Sequence, residues 1–493
     1  MFAQLEEIAR ALDEAGLLVE RRGALAPAIS GITDDSRSVK PGALFVAVRG
    51  SERDGHDYLD AAEKAGAVAA IVQDATRTSL PALVVNDGRR AAALAASAAY
   101  GWPARDLQLV GVTGTNGKTT TVNMLRHLLA EPGARSASIG TLGVLMGSEG
   151  TPLPGGSGLT TPGPIELQRI FRALHDAGVR RVAMEVSSHS LDQRRVDGVS
   201  FDVVTFTNLT RDHLDYHGSM EGYFAAKARL VEYLVPHGTV VVNLDDPAWR
   251  DLKTDRRRVG FSERVASAEV HSEEVKFGPR GSEWMLCLHE DRHGVRLPLI
   301  GDFNVANALG AAASAYALGI PSAKIAERLS TMPQVPGRLE VINESPAVLR
   351  DYAHTPDALE RALDAVRPFT PERLIVVFGC GGDRDRGKRP EMGAIAENKA
   401  DWAIVTSDNP RTEDPEAILD DVETGMHKQN HERIEDRRSA IARALKMADP
   451  RDVIVLAGKG HEDYQIRGTT KLPFDEKLIV AELTGRILPG GAS

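Results

Sequence analysis

Short apolar runs recur along the chain at residues 44–48, 68–72, 107–112, 182–186, 203–206, 239–242, 374–378 and 453–457. They are rich in Val, Ile, Leu and Phe, and most are followed within two residues by Gly, Asn, Asp or Thr. A strand covered on both faces needs apolar side chains at every position, whereas a half-covered strand alternates. The runs therefore read as buried strands, with helix-spaced patterns between nearly all of them. Strand and helix in alternation predict an α/β fold with mostly parallel sheets. Residues 1–18 predict an acidic amphipathic helix, and the Ala-rich stretch at 90–100 a packed helix. Residues 262–298 are more polar and alternating, with Gly278 and Gly281 as breakers. That piece reads as an antiparallel extension of the second domain.

Turn residues mark where the domains divide. Tyr100-Gly101-Trp102-Pro103 ends a helix just before a strand, and residues 332–337 carry two prolines and a glycine. The expected domains are 1–103, 104–336 and 337–493, and 493 residues at roughly 150 per domain agree with three. A formal charge of −10 argues against a nucleic-acid partner, which needs a basic face. No run of apolar residues is long enough to span a membrane, and residues 1–18 lack the segments of a signal peptide. The two cysteines, Cys287 and Cys380, are too distant for a zinc knuckle and read as reduced core thiols. A cytoplasmic protein is expected, with a monomer as its simplest state.

The run at 107–112 leads into Thr113-Gly114-Thr115-Asn116-Gly117-Lys118-Thr119-Thr120 and then a helical stretch at 122–129. A strand, a Gly-rich turn ending in Gly-Lys-Thr and a helix form the setting of a phosphate loop. Backbone N–H groups of the turn and the helix N-terminus cradle phosphates there. Lys118 would supply a compact charge to the β/γ-phosphates, and Thr119 a hydroxyl to Mg²⁺. The general pattern puts a glycine where this chain has Val112, and Gly111 comes one place early.

Glu185 lies in the otherwise apolar run 182–186, where a lone carboxylate is costly unless paired or metal-bound. His213, in Asp212-His213-Leu214-Asp215-Tyr216-His217, and Lys227 follow the strand at 203–206. Singly, each has an ordinary use, such as a buried salt bridge for Glu185 or a loop hydrogen bond for His213. With the phosphate loop they read as one site for phosphoryl transfer, where cations must neutralise converging anionic oxygens. Further on, Gly379–382 and four cations, Arg384, Arg386, Lys388 and Arg389, follow the strand at 374–378. Such a turn reads as an anion site or as a solvated basic loop. Ser407-Asp408-Asn409-Pro410-Arg411 and Gly458-Lys459-Gly460-His461-Glu462 follow two more strands. Open α/β sheets place ligands at such C-terminal strand ends.

Residues 113–120 closely resemble the nucleotide loop of the Mur ligases, ATP-dependent amide ligases of peptidoglycan precursor synthesis that share the same departure from the glycine pattern. The related folylpolyglutamate synthetases have similar loops, so this segment alone does not choose between them. The resemblance extends over nearly the whole chain. It implies an N-terminal UDP-binding α/β domain, a central ATPase-like sheet and a C-terminal Rossmann-like domain. It also implies an ATP site of Gly114, Thr115, Asn116, Gly117, Lys118, Thr119 and Thr120, with Asn307 of the motif at 301–308, Arg338 of 336–340 and Asp351 of 351–357. Mg²⁺ is expected on Thr119, Glu185, His213 and Lys227, the last as a carbamate, because an ammonium cannot ligate a metal. Lys118, Lys227 and Arg338 are the expected catalytic residues, and closure of the third domain is expected to bring Arg338 in.

The same resemblance assigns substrate contacts. Ser36, in Thr33-Asp34-Asp35-Ser36-Arg37-Ser38, and the loop Ser51-Glu52-Arg53 would meet a uridine diphosphate. Thr160, Thr161, Ser187, Gln193 and Arg195 would grip a muramyl dipeptide. Asp408-Asn409-Pro410-Arg411 is similar to the signature of members that add meso-diaminopimelate rather than L-lysine, with Arg384, Gly458 and Glu462 in the same site. Arg411 can pair the distal carboxylate bidentately and Glu462 can take the ammonium, whereas lysine would leave Arg411 unmatched. The expected substrates are therefore UDP-N-acetylmuramoyl-L-alanyl-D-glutamate, ATP and meso-diaminopimelate. Addition of L-lysine, or of glutamate to a folate, is the nearest alternative. A nucleotide-sensing module that makes no bond is a more distant one.

Overall fold

The computed structural model describes residues 4–25, 28–50, 53–131, 133–154 and 158–486. Ser51 and Glu52 of the expected uridine loop lie outside them. The chain divides into two compact units. One comprises Met1–Glu273, Leu286–His293 and Ala306–Leu329, the other Glu274–Met285, Gly294–Val305 and Ser330–Ser493.

The first unit begins with a five-stranded sheet in the order Leu18–Arg22, Ala82–Val85, Ala69–Val72, Ala43–Val46, Gly31–Thr33. Only the first strand is antiparallel to its neighbour. Helix Leu5–Glu14 buries Leu5, Ile8, Ala9 and Leu12, the stripe expected of an amphipathic helix. Helix Gly88–Ala99 packs its alanines into the same core as Leu44, Val46, Ile71 and Leu83.

The same unit carries the parallel heart of a larger sheet, ordered Arg257–Ser262, Leu234–Asn243, Phe201–Phe206, Gln108–Thr113, Val179–Glu185, Arg135–Gly140. From Gln108–Thr113 the chain passes through helix Lys118–Leu128 to Arg135–Gly140, then fills the gap with Val179–Glu185. It next crosses to Phe201–Phe206 on the opposite side. The winding thus reverses at Gln108–Thr113, and a crevice opens at that strand's C-terminal end. Gly111 sits inside this strand, where an added Cβ would lie 3.0 Å from the Phe201 ring. The early glycine therefore serves packing within the sheet. Beyond Arg257–Ser262 the sheet continues through Val270–Gly278, Gly281–Leu288 and Asp291–Leu297. The expected antiparallel extension is thus strand structure, but it begins with a parallel pairing, Phe261 opposite Val270.

The second unit is built on a six-stranded sheet, Glu340–Glu344, Ala347–Asp351, Val453–Ala457, Leu374–Phe378, Trp402–Val405, His431–Arg433. All pairings but the first are parallel. Val453–Ala457 comes last in the chain yet lies in the middle, so here too the winding reverses and ligands are favoured at the strand ends. Helices cover both faces around two apolar cores. Among the described residues no helix is long and apolar enough to cross a membrane.

One buried ion pair ties this sheet to helix Glu476–Leu483. Arg437 and Glu476 are fully buried; the guanidinium donates to Glu476 Oε1 at 2.8 Å and to the Ala457 carbonyl at 2.9 Å. Breaking such a pair strands a charge in low dielectric, at a cost of about 3–5 kcal/mol. Arg437→Met should lower unfolding stability by about that much in denaturant titration, while the double change Arg437→Met/Glu476→Leu recovers most of it. A loss below about 1 kcal/mol in the single variant would remove the pair from the account.

Candidate active site

The turn at 114–117 is shaped by glycine. Gly114 has φ 153° and Gly117 φ 84°. A Cβ at Gly114 would stand 1.9 Å from Thr207 Oγ1, and one at Gly117 would stand 2.3 Å from Asn307 Oδ1. The segment after strand Phe201–Phe206 holds the turn open. Thr115 N donates to the Asn208 carbonyl at 2.8 Å, and Asn116 N to Asn208 Oδ1 at 2.8 Å. Thr207 Oγ1 donates to the Asn116 carbonyl at 2.7 Å. Helix Lys118–Leu128 starts at Gly117 with no side-chain cap, so its N-terminal dipole faces the turn. Lys118 Nζ folds back onto the carbonyls of Gly114 and Thr115, at 2.9 and 2.8 Å.

Lys227 reaches the same place from helix Met220–Ala228. It is 1% exposed, donates to the Gly114 carbonyl at 2.8 Å and lies 4.5 Å above the Tyr223 ring. Burial, with nearby Lys118, pushes its ammonium well below the usual lysine range. Tyr223 OH lies 3.3 Å from Thr115 Oγ1. His213, at φ 54°, belongs to a packed group with His189, Tyr216 and His217. Burial and the two neighbouring imidazoles hold His189 down at about 4.

Glu185 ends its strand with 1% exposure and no salt bridge among the described residues. Its Oε1 accepts from Thr141 N at 2.8 Å and its Oε2 from Thr141 Oγ1 at 3.2 Å. Thr161 Oγ1 donates to the Glu185 carbonyl at 2.9 Å and accepts from Ser187 N at 3.0 Å. Arg195 donates to the Thr161 carbonyl at 3.1 Å and to Gln193 Oε1 at 3.0 Å. Thr160 joins through Thr141 Oγ1 at 3.4 Å. The five residues expected to grip the muramyl dipeptide thus form one network around Glu185. Ser36, expected at the uridine diphosphate, is not part of it; it opens the single turn Ser36–Ser38, capped by Asp35.

In the second unit, Arg338 lies 4.9 Å over the Tyr352 ring and donates to the Gly337 carbonyl at 3.0 Å. Asp351 accepts from Leu339 N at 2.7 Å, and burial raises its carboxyl to about 6. At the neighbouring strand ends, Asn409 Nδ2 donates to Glu462 Oε2 at 2.9 Å. The fully buried Lys459 donates to Asn409 Oδ1 at 3.0 Å and lies 3.3 Å from Glu462 Oε2. Gly458 is needed at φ 114°, where a Cβ would stand 2.5 Å from Asp408 Oδ2. Arg411, at φ 54°, uses Nη1 on the carbonyls of Gly382 and Asn409, at 2.8 and 3.5 Å. No carboxylate among the described residues pairs with it. Arg384 is exposed and bonds only the Asp383 carbonyl among the described residues.

The sequence matches the Mur ligase middle domain over residues 112–315, the Mur ligase glutamate ligase domain over 337–460 and the Mur ligase family catalytic domain over 28–101. A curated relative from Geobacter metallireducens, named UDP-N-acetylmuramoyl-L-alanyl-D-glutamate–2,6-diaminopimelate ligase, is 44% identical across 97% of this chain and 98% of its own. The chain belongs to the Mur ligase family. A relative of the same name from Synechococcus elongatus is 45% identical across 94% of this chain and 95% of its own. A solved structure bearing that name superposes with a TM-score of 0.69 at 31% identity, covering 98% of this chain and 99% of that one. The folylpolyglutamate synthase of Mycobacterium tuberculosis, at 21% identity and a TM-score of 0.64, covering 75% of this chain and 91% of its own, shares the fold. As a Mur ligase, the chain is an ATP-dependent ligase.

In each unit the sequence reading missed residues that hold the expected ones. Thr141, which satisfies both oxygens of Glu185, follows the end of a strand two places from the phosphate-loop strand and carries no motif. Tyr223 is a buried partner of Lys227 with no signal of its own, and Lys459, inside a segment singled out at a strand end, was given no role. The four-cation anion site needs correction. Arg386 pairs with Asp421, and the fully buried Arg389 with Glu413 and Asp421. Lys388 donates to the His354 carbonyl. Two of the four charges are thus already matched by carboxylates from helix Pro415–Glu423 and its approach, leaving Arg384 and the carbonyl-bound Lys388.

Proposed function

We propose that this Mur ligase joins meso-diaminopimelate to the D-glutamyl γ-carboxylate of UDP-N-acetylmuramoyl-L-alanyl-D-glutamate in peptidoglycan precursor synthesis. The observation that carries the choice of amino acid is Arg411. It is a guanidinium held by the backbone carbonyls of Gly382 and Asn409; no salt bridge among the described residues takes up its charge, and the acidic group it acts on is the exposed Asp383. The distal carboxylate of a ligand would complete Arg411, and its distal ammonium would join Lys459 in sharing Glu462. Lysine brings no distal carboxylate and would leave the guanidinium unmatched.

ATP phosphates fit the turn that Gly114 and Gly117 keep free of side chains, at the uncapped N-terminus of helix Lys118–Leu128. Asn116, Thr119 and Thr120 line that turn, Asn307 abuts Gly117, and Asp351 is the ribose-side carboxylate of the second unit. Thr119 and Glu185 offer the hard oxygens that Mg²⁺ prefers, and His213, close enough to feel the charges of Lys118 and Lys227, offers a nitrogen, so the residue types fit that ion. Bound Mg²⁺ would supply charge neutralisation to the transferring phosphoryl group. Lys227 becomes a fourth ligand, and a third source of oxygen, if its amine is carbamylated. That reaction needs the neutral amine, which burial favours here.

Thr160, Thr161, Ser187, Gln193 and Arg195 orient the muramyl dipeptide, and Ser36 its uridine diphosphate. Its γ-carboxylate takes the γ-phosphoryl group of ATP, giving an acyl phosphate and ADP. Lys118 and Arg338 neutralise the charge in flight. The diaminopimelate amine, held by Arg384, Asp408, Asn409, Pro410, Arg411, Gly458 and Glu462, attacks the acyl carbon. The tetrahedral adduct expels phosphate and leaves the amide.

Two outcomes are expected. With UDP-dipeptide and ATP, ADP release should depend on diaminopimelate and exceed that with L-lysine by on the order of 10⁴-fold in kcat/KM, and Arg411→Met should erase most of that gap. Equal use of the two amino acids by the unaltered protein would overturn the assignment. Lys227→Ala should lose most ligase activity and regain part of it when a short carboxylic acid is added. An undiminished Lys227→Ala enzyme would remove the carbamate from the scheme.

A further inference from the structure

Strands Val270–Gly278 and Gly281–Leu288 carry a cluster that ligase chemistry does not use. His271 and Glu273 are two residues apart, so they share one face of their strand. Cys287 comes from the neighbouring strand. One donor atom from each of the three lies within 4.8 Å of the other two. His271 is 8% exposed and Cys287 2%, and Glu273 is half-buried.

The hydrogen bonds fix which imidazole nitrogen is available. Nδ1 lies 3.0 Å from the Ala268 carbonyl, which can only accept, so Nδ1 carries the proton. That leaves Nε2 facing Glu273 Oε1, an acceptor 3.4 Å away. Two acceptors face each other stably only with a proton or a cation between them. A proton would leave the Cys287 sulfur idle, whereas a metal ion engages all three groups. Outer partners already orient the donors as metal ligands usually are. The Ala268 carbonyl aligns the imidazole, and the Arg292 guanidinium holds the other oxygen of Glu273.

We propose that His271, Glu273 and Cys287 bind one divalent ion of the zinc class, with water completing the coordination. Thiolate, imidazole and carboxylate form a borderline-soft set suited to Zn²⁺ or Co²⁺, and sulfur discriminates against Mg²⁺ and Ca²⁺. On binding, the Cys287 S–H bond gives its proton to solvent and a sulfur–metal bond forms, with no change of oxidation state. The site shares no residue with the phosphate-loop set.

Co²⁺ tests this on the full chain, after chelator treatment and in excess Mg²⁺ to occupy oxygen-only sites. One equivalent should produce a thiolate-to-cobalt charge-transfer band in the unaltered protein and in Cys380→Ser, and none in Cys287→Ser. Glu273→Gln should keep the band but weaken Co²⁺ affinity by at least about tenfold. Mg²⁺-supported ligase activity of Cys287→Ser should match that of the unaltered protein, which also reports its folding. No band in the unaltered protein, or a band that survives Cys287→Ser, would overturn the site.

Discussion

Lys118 and Lys227, from two different helices, both end on the carbonyl oxygen of Gly114. Two ammonium groups converging on one acceptor in a water-poor place repel each other, and with burial this pushes Lys227 well below the usual lysine range. The repulsion falls when anionic oxygens enter the turn, or when Lys227 gives up its charge. Much else in the first unit maintains this arrangement. Asn208 and Thr207 pin the turn, the glycines keep it free of side chains, and Tyr223 seats Lys227 and touches Thr115. The sheet topology brings it about, because the strand that feeds the turn is the one where winding reverses.

The second unit answers with the same device at a different set of strand ends. Buried Lys459 fixes Asn409 and Glu462, so these strand ends are held in place within the second unit. The neighbouring Gly-rich turn is stiffened by Arg389, whose charge is consumed by Glu413 and Asp421. Arg411 differs in being held only through carbonyls. A cation oriented by neutral acceptors keeps more of its charge than one in a salt bridge, which is what the proposed carboxylate contact needs.

The strands were legible because buried parallel strands are apolar at every position, and residues 107–112, 374–378 and 453–457 each became one. The phosphate loop was legible because a short contiguous segment supplies strand, turn and helix start. Partners brought in by the sheet were not. Thr141 meets Glu185 only because Arg135–Gly140 and Val179–Glu185 pair in register, which no local pattern announces. Arg386 and Arg389 looked available because Asp421 lies more than thirty residues away and its helix had to pack before the pairing existed. The polar stretch at 262–298 betrayed its strands by alternation, yet its parallel junction with Arg257–Ser262 depends on a crossing that spacing does not encode.

The account rests on a carboxylate being phosphorylated in the turn that the two lysines guard. Transfer of ¹⁸O tests that directly. With the γ-carboxylate of the UDP-dipeptide labelled and all three substrates present, the phosphate released should carry one labelled oxygen for each amide formed. Unlabelled phosphate accompanying product, or phosphate released without any amino acid at the same rate, would contradict it.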